Sequence, residues 1–308
     1  MKALLIGINT KYIHPAISLY QLKANTDYDV DIMEFIIKDK IEKITSSIID
    51  ALNNNHYDLI GFSAYLWNIE LVLKTIKIIK QKFPIKVVVG GPEVTYDAEH
   101  FLRENCDINY IIRGEGELSF NELLMHLDNK INIKNVSNLS YILDNNYMEN
   151  ANKTVDLSTI NLATLMVKDL ENQVVYLESS RGCPYKCSYC TASLDNNLRF
   201  FPLEKVLNIL DYLMVNKAKT VKFLDRTFNA NKEYMMSILK FIDDKNICTT
   251  FQFEIVVDRL NSDVIEFINT LNHKYLRFEV GIQTIHNEIN KNVDRYQNMD
   301  KLKENINK

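Results

Sequence analysis

A chain of 308 residues, 46% hydrophobic and 25% charged, has enough apolar material for about two packed cores, which excludes a disordered or low-complexity protein. The formal net charge of −4, with both signs interspersed, gives no nucleic-acid groove, and no apolar run approaches the ~18 residues of a membrane span. Five cysteines, three of them clustered, argue against a disulfide framework and for a reducing, cytoplasmic setting, and the start, MKALLIGINTKY, reads as a strand rather than a signal peptide.

The amino-terminal part alternates short apolar runs with amphipathic stretches. Residues 2–7 predict a strand, 15–24 a helix, 28–35 a strand and 41–53 a helix. Residues 59–63 are the next strand, followed by a strongly amphipathic helix over 69–83 and a short strand, 86–91, that ends on two glycines. A helix near 97–104 leads to a strand at 110–113, which stops at Gly114-Glu115-Gly116-Glu117 before a helix over 118–127. Five strands alternating with helices imply an α/β fold, a doubly wound, Rossmann-like parallel sheet with ligands outside the carboxyl ends of its strands. Gly90 and Gly91 let the backbone approach a large flat ligand, and Ser63 and Trp67 stand where side chains would meet it. Trp67 is equally readable as core. Gly114 reads as a ligand contact, and Glu115 and Glu117 as a ligand contact or an interdomain hinge, with charge compensation at the following helix as the alternative for the two glutamates. His14 reads as a ligand-edge contact or as the cap of a helix opened by Pro15.

Residues 129–172 change character and are expected to be a linker, with a hairpin over 139–143 turning at Asp144-Asn145-Asn146 and a short apolar segment at 164–170 crossing the entrance of the next domain. The chain then reads VVYLESSRGCPYKCSYC, a β-branched strand emptying into a loop with the spacing C-x3-C-x2-C. Cys183, Cys187 and Cys190 are soft ligands that select zinc, copper(I) or an iron–sulfur cluster. Gly182 and Pro184 suit a loop whose backbone wraps an inorganic core. A closed zinc site wants a fourth ligand, and the next Cys and His in the sequence are Cys248 and His273.

Beyond this loop a helix is expected over 203–215, a strand over 220–225, a helix reaching 243, a strand over 250–257, a helix over 263–271 and a strand over 275–281. Repeated βα units predict a parallel barrel with its chemistry at the strands' carboxyl ends, where Asp225, Asn229, Glu254, Glu279 and Gln283 fall. The alternative for Glu254 and Glu279 is an ion pair with Arg259 or Arg277. A charged helix over 288–308 closes the chain, and Cys106 and Cys248 read as buried structural thiols. The domains are thus 1–128, a linker 129–172, and 173–308.

The cysteine loop, with Tyr189 just before the third Cys, resembles the signature of the radical S-adenosylmethionine (radical SAM) superfamily. The resemblance implies a [4Fe-4S] cluster on Cys183, Cys187 and Cys190, an open iron chelated by the amino and carboxylate groups of S-adenosylmethionine, and Tyr189 beside the adenine. It further implies Asp225 and its neighbours, Asn229 among them, at the methionine amino group, and Glu254, Glu279 and Gln283 facing the ribose or substrate. The set GFSAYLWN, VVVGGPEVT and IIRGEGE resembles the cobalamin-binding domain that precedes the barrel in many such enzymes. The Asp-x-His-x-x-Gly motif of cobalamin mutases is missing from the loop Asn9–Pro15, which implies a cobalt without a protein imidazole, His14 being the one candidate lower ligand.

The activity implied is reductive cleavage of S-adenosylmethionine to a 5′-deoxyadenosyl radical, with electrons from a flavodoxin or ferredoxin, for cobalamin-dependent methylation of an unactivated carbon. The alternatives are a radical cyclisation or rearrangement without methyl transfer, or a non-catalytic cobalamin-binding fragment. The family's partial barrel has six βα units and only four strands can be counted here, so the chain is expected to be cut within an incomplete barrel and its substrate is not readable.

Overall fold

Lys2–Asn9 (β1) buries six consecutive residues, as a strand covered on both faces must. In the computed structural model, which describes residues 1–245 and 248–308, β1 lies inside the sheet of the first of two compact units, Met1–Met166 and Val167–Lys308. It is followed by α1 (Ile17–Ala24), β2 (Asp29–Ile36), α2 (Ile41–Asn54), β3 (Leu59–Ser63), α3 (Ile69–Lys80) and β4 (Lys86–Gly90). Then come α4 (Pro92–Thr95), α5 (Ala98–Glu104), β5 (Tyr110–Ile112) and α6 (Glu117–Leu127). The first five strands are parallel in the order β2-β1-β3-β4-β5, so the chain reverses its winding between β1 and β3. Alternate residues of β1 feed opposite cores, Leu4, Ile6 and Ile8 packing with Ile44, Ile76 and Leu102, and Ala3 and Leu5 with Leu19, Phe120 and Leu123.

The hairpin expected in a linker belongs to this sheet. Leu139–Leu143 (β6) and Asn146–Glu149 (β7) turn at Asp144 and Asn145, both left-handed at φ 48° and 65°, and β6 pairs antiparallel with β5. Buried Asn138 locks the return, its Nδ2 donating to the carbonyls of Glu115 and Lys153 and to Ser119 Oγ at 3.0–3.1 Å. Part of 164–170 likewise sits on the first unit, in the 3-10 turn Ala163–Met166, where Ala163 N–H donates to Gln21 Oε1 across 2.9 Å. The boundary expected at 128 therefore moves to Met166/Val167. The helix expected from Pro15 begins at Ile17, and its N-cap position is Ala16, with no side-chain cap hydrogen bond.

The second unit holds β8 (Val174–Leu177), a two-stranded antiparallel pair of β9 (Ser180–Arg181) and β10 (Arg199–Phe200), α7 (Leu203–Val215), β11 (Thr220–Phe223) and α8 (Lys232–Lys245). It continues with β12 (Thr250–Ile255), α9 (Ser262–Thr270), β13 (Leu276–Val280), α10 (Asn287–Asn292) and α11 (Met299–Asn307). The four long strands run parallel in the order β8-β11-β12-β13, as the βα repeats require. One face buries Val221, Phe223, Phe251 and Phe253, while Lys222, Gln252 and Glu254 on the other stay partly open. The strands stop one to two residues earlier than expected, which places Asp225 and Gln283 in the loops beyond them. The terminal charged helix is two helices separated by residues 293–298. Among the described residues no helix is long and apolar enough to cross a membrane.

Gly91 is demanded by the chain itself. Its backbone, at φ 120° and ψ 171°, is open essentially to glycine alone, and a Cβ there would lie 2.3 Å from the Ala64 carbonyl oxygen. Gly91→Ala is therefore expected to cost about 2–3 kcal/mol, read as a lower denaturation midpoint for the first unit by urea titration.

Candidate metal and cofactor sites

At the carboxyl edge of the first sheet, the loop after β3 is shaped by a residue the sequence did not advertise. Buried Asn68 donates through Nδ2 to the carbonyls of Ile8 (3.1 Å) and Ser63 (3.0 Å) and accepts the Tyr65 N–H at 2.8 Å. Tyr65 and Trp67 then stack, 4.4 Å between centroids and 7° from parallel, and Trp67 is left 51% exposed rather than buried in the core. Glu34, near the end of β2, fixes the neighbouring loop by accepting from Asn9 Nδ2, the Ala16 N–H and the Tyr20 hydroxyl at 2.6–2.7 Å. Burial, together with that carboxylate, raises the Tyr20 hydroxyl well above its ordinary value, so it stays a donor.

Around these loops Tyr12, Ile13, Leu66, Trp67 and Tyr96 are exposed, an apolar shelf at the ends of β1, β3 and β4. Exposed Gly114, past the end of β5, has nothing within 4 Å of the side where a Cβ would project. Half-buried His14 sits in the turn after β1. Ser63 is buried beneath the shelf, and the close approach expected between Gly91 and a ligand is made by the Ala64 carbonyl. Glu115 turns away from the edge, its Oε2 accepting the Val155 N–H at 2.9 Å.

In the second unit the three thiols are free, with Cys183 and Cys187 only 8% and 7% exposed and Cys190 half-buried. Gly182 lets the loop start, since a Cβ there, at φ 86°, would lie 2.4 Å from the Asn197 carbonyl oxygen. The loop's stem hangs on Asp225, which is 1% exposed. Its Oδ1 accepts the hydroxyls of Ser179 (2.6 Å) and Ser180 (2.5 Å), and its Oδ2 accepts the Ser179 N–H at 2.9 Å. The carboxylate expected at an open cofactor face is thus spent on the chain. Asn229 is spent likewise, its amide exchanging two 2.9 Å hydrogen bonds with the Val256 backbone. Thr227 Oγ1 lies 3.6 Å from Cys183 Sγ, and the Cys183 N–H donates to the Asp195 carbonyl at 2.9 Å.

Glu254 and Glu279 pair in register and share Lys222, 3.8 and 3.0 Å away, rather than Arg259 or Arg277. Gln252 also donates to Glu279. Gln283 is exposed, with a left-handed φ of 61°. Cys106 and Cys248, expected to be buried, are both exposed.

The thiol set suits an iron–sulfur core. Three soft thiolates on one loop are the donor set that a core taking one thiolate per iron requires.

Comparison with known proteins agrees with this geometry. The B12 binding domain family model matches residues 4–124, and that of the radical SAM superfamily matches residues 177–308. The chain belongs to the radical SAM enzymes that carry a cobalamin-binding domain. It is 26% identical over 291 residues to an uncharacterized methyltransferase, PH0819, of Pyrococcus horikoshii, covering 90% of this chain and 63% of that protein. It is 23% identical over 251 residues to the cobalamin-dependent radical SAM methyltransferase TokK of Streptomyces tokunonensis, covering 74% of this chain and 36% of that protein. The structure of the cobalamin-dependent S-adenosylmethionine radical enzyme OxsB, with aqua-cobalamin and S-adenosylmethionine bound, superposes with a TM-score of 0.82 at 16% identity, covering 98% of this chain and 46% of that one. The radical SAM chain described here thus spans less than two thirds of each.

Burial raises the Asp225 carboxyl from the ordinary 3.8 to about 6, against the serine hydrogen bonds that pull it down. Between these values the folded chain keeps a proton that the unfolded chain has lost. Its contribution to stability is therefore full below pH 3.8 and lost as the pH rises through about 6. The difference in melting temperature between the natural chain and Asp225→Asn, followed by circular dichroism, is expected to fall across that window and to level off above it.

Proposed function

We propose that this chain supplies the cobalamin-binding unit and the cluster-bearing part of the barrel of a radical SAM methyltransferase acting on an unactivated carbon. The observation that carries the reading is the set of three free thiols on one loop at the carboxyl end of a parallel sheet. When bound, the cluster and S-adenosylmethionine supply a 5′-deoxyadenosyl radical and cobalamin supplies the methyl carrier.

The chain's own residues bind and orient these groups. Cys183, Cys187 and Cys190 would hold a [4Fe-4S] cluster, and three thiolates leave one iron for S-adenosylmethionine. Tyr189, the partly exposed Glu254 and Glu279 and the exposed Gln283 would face that ligand and the substrate. The shelf of Tyr12, Trp67 and Tyr96, with Gly114 beside it, would offer apolar surface to a corrin ring, and His14, in the turn after β1, is the candidate lower ligand. The reductant would be a flavodoxin or ferredoxin in a reducing, cytoplasmic compartment, where the thiols persist.

Anaerobic reconstitution is expected to give about four irons per chain, lost in Cys187→Ala. An iron count that does not depend on Cys187 removes the cluster from the reading. Trp67 is the sole tryptophan, so emission excited selectively in the tryptophan band, away from the tyrosines, reports on the shelf. Hydroxocobalamin should quench it in a saturable titration, and unchanged emission excludes corrin binding there. Transfer of a labelled methyl group, as opposed to ring closure without transfer, is then read by mass spectrometry of the product of the complete enzyme.

A further inference from the structure

Tyr189 is 49% exposed, yet its hydroxyl is held fast. Arg295 Nη1 donates to it across 3.0 Å, Nη2 donates to the Gly281 carbonyl just past β13, and Nε donates to Gln297 Oε1 at 3.3 Å. All three nitrogens of one guanidinium face different acceptors, a fork that lysine cannot reproduce. The backbone adds a second link, the Ser188 N–H donating to the Val293 carbonyl at 3.0 Å. On the other side of Cys187, the Arg259 guanidinium lies over the Tyr185 ring, 5.9 Å from its centroid, and donates to the Tyr296 carbonyl at 3.0 Å. Asp258 accepts the Asn298 N–H at 3.0 Å. The connector between α10 and α11 is thereby joined to the turn after β12, and together they grip the thiol loop on both flanks of its middle cysteine.

Fixing an aromatic side chain that remains half exposed costs rotamer entropy that burial does not return. The bridge reaches 106 residues along the chain to hold one hydroxyl, and it leaves the residue half exposed. The arrangement suits a ligand that uses the ring's position. We propose that Arg295 is a positioning residue, tying Tyr189 to the carboxyl end of β13 so that S-adenosylmethionine meets an edge already in place. Gln283 stands two residues beyond the bridged Gly281, so the same fork steadies that end of the strand. This rests on the radical SAM reading above.

The test is equilibrium dialysis of S-adenosylmethionine against the oxidised, reconstituted chain, with iron counted in each sample and no reductant present. Arg295→Ala and Tyr189→Phe should each weaken binding about tenfold at an unchanged iron count. The double variant should be no weaker than the weaker single, as members of one bridge must be. Additive losses overturn the proposal, as does full affinity in Arg295→Lys, which would mean that charge alone suffices. If Arg295→Ala fails to retain iron, Tyr189→Phe decides, since it removes only the hydroxyl. Weakened binding in Tyr189→Phe supports the bridge and unchanged binding overturns it. A natural chain that retains no iron, or retains iron without binding S-adenosylmethionine, overturns the underlying reading and the proposal with it.

Discussion

A loop that presents three thiols to one centre cannot satisfy its backbone as a helix or strand does, so it depends on polar groups brought from elsewhere. In this chain that dependence converges first on Asp225. Its carboxylate is almost wholly buried and takes both the side chain and the backbone of Ser179, with the Ser180 hydroxyl beside them. The burial that raises its pKa is the cost of holding the loop's stem from the next strand. The remaining supports follow strand by strand, Thr227 after β11, Arg259 after β12 and Arg295 reaching back to the end of β13. Parallel pairing makes this possible, because it delivers all of these loop starts to one edge of the sheet.

The first unit meets the same constraint with different groups. Its carboxyl edge is a set of irregular loops at the reversal between β1 and β3, and Asn68 and Glu34 supply the hydrogen bonds that those loops lack. With the backbone satisfied underneath, Trp67 and its neighbours are free to remain outside the core. The aromatic stack is thereby held beside a buried amide with Trp67 half in water, instead of being drawn into the core.

What the sequence disclosed is what short-range pattern can carry. The period of β12 shows in its alternating burial, the winding of the first sheet shows in its strand–helix alternation, and the thiol spacing lies within eight residues. What it withheld depends on pairing between distant segments. The hairpin was visible as a hairpin, but its membership of the first sheet depends on β5, to which only folding brings it. Glu254 and Glu279 were visible as charges at strand ends, whereas their partner Lys222 follows from the register of three strands. Asp225 and Asn229 were placed at the right edge, but the direction of a side chain just past a strand end has no period to betray it. Arg295 carried no signal, since two of its three acceptors lie 14 and 106 residues away and the third, Gln297, is one that any surface arginine could meet.

The partly open face of the second sheet runs against stability. Two glutamates sit side by side on adjacent strands with one lysine between them, so a like-charge contact is only partly offset. All three side chains keep appreciable exposure, which makes their pairing weak, and aliphatic residues in the same places would pack better. The opposite face of the same strands shows that this chain can build such packing, with Phe223, Phe228 and Phe253 in mutual contact. A sheet that is aromatic and closed on one side and charged and open on the other keeps its packing on the first face and leaves its charged groups accessible on the second. The thiol loop, at the carboxyl end of these strands, is where that charged face leads.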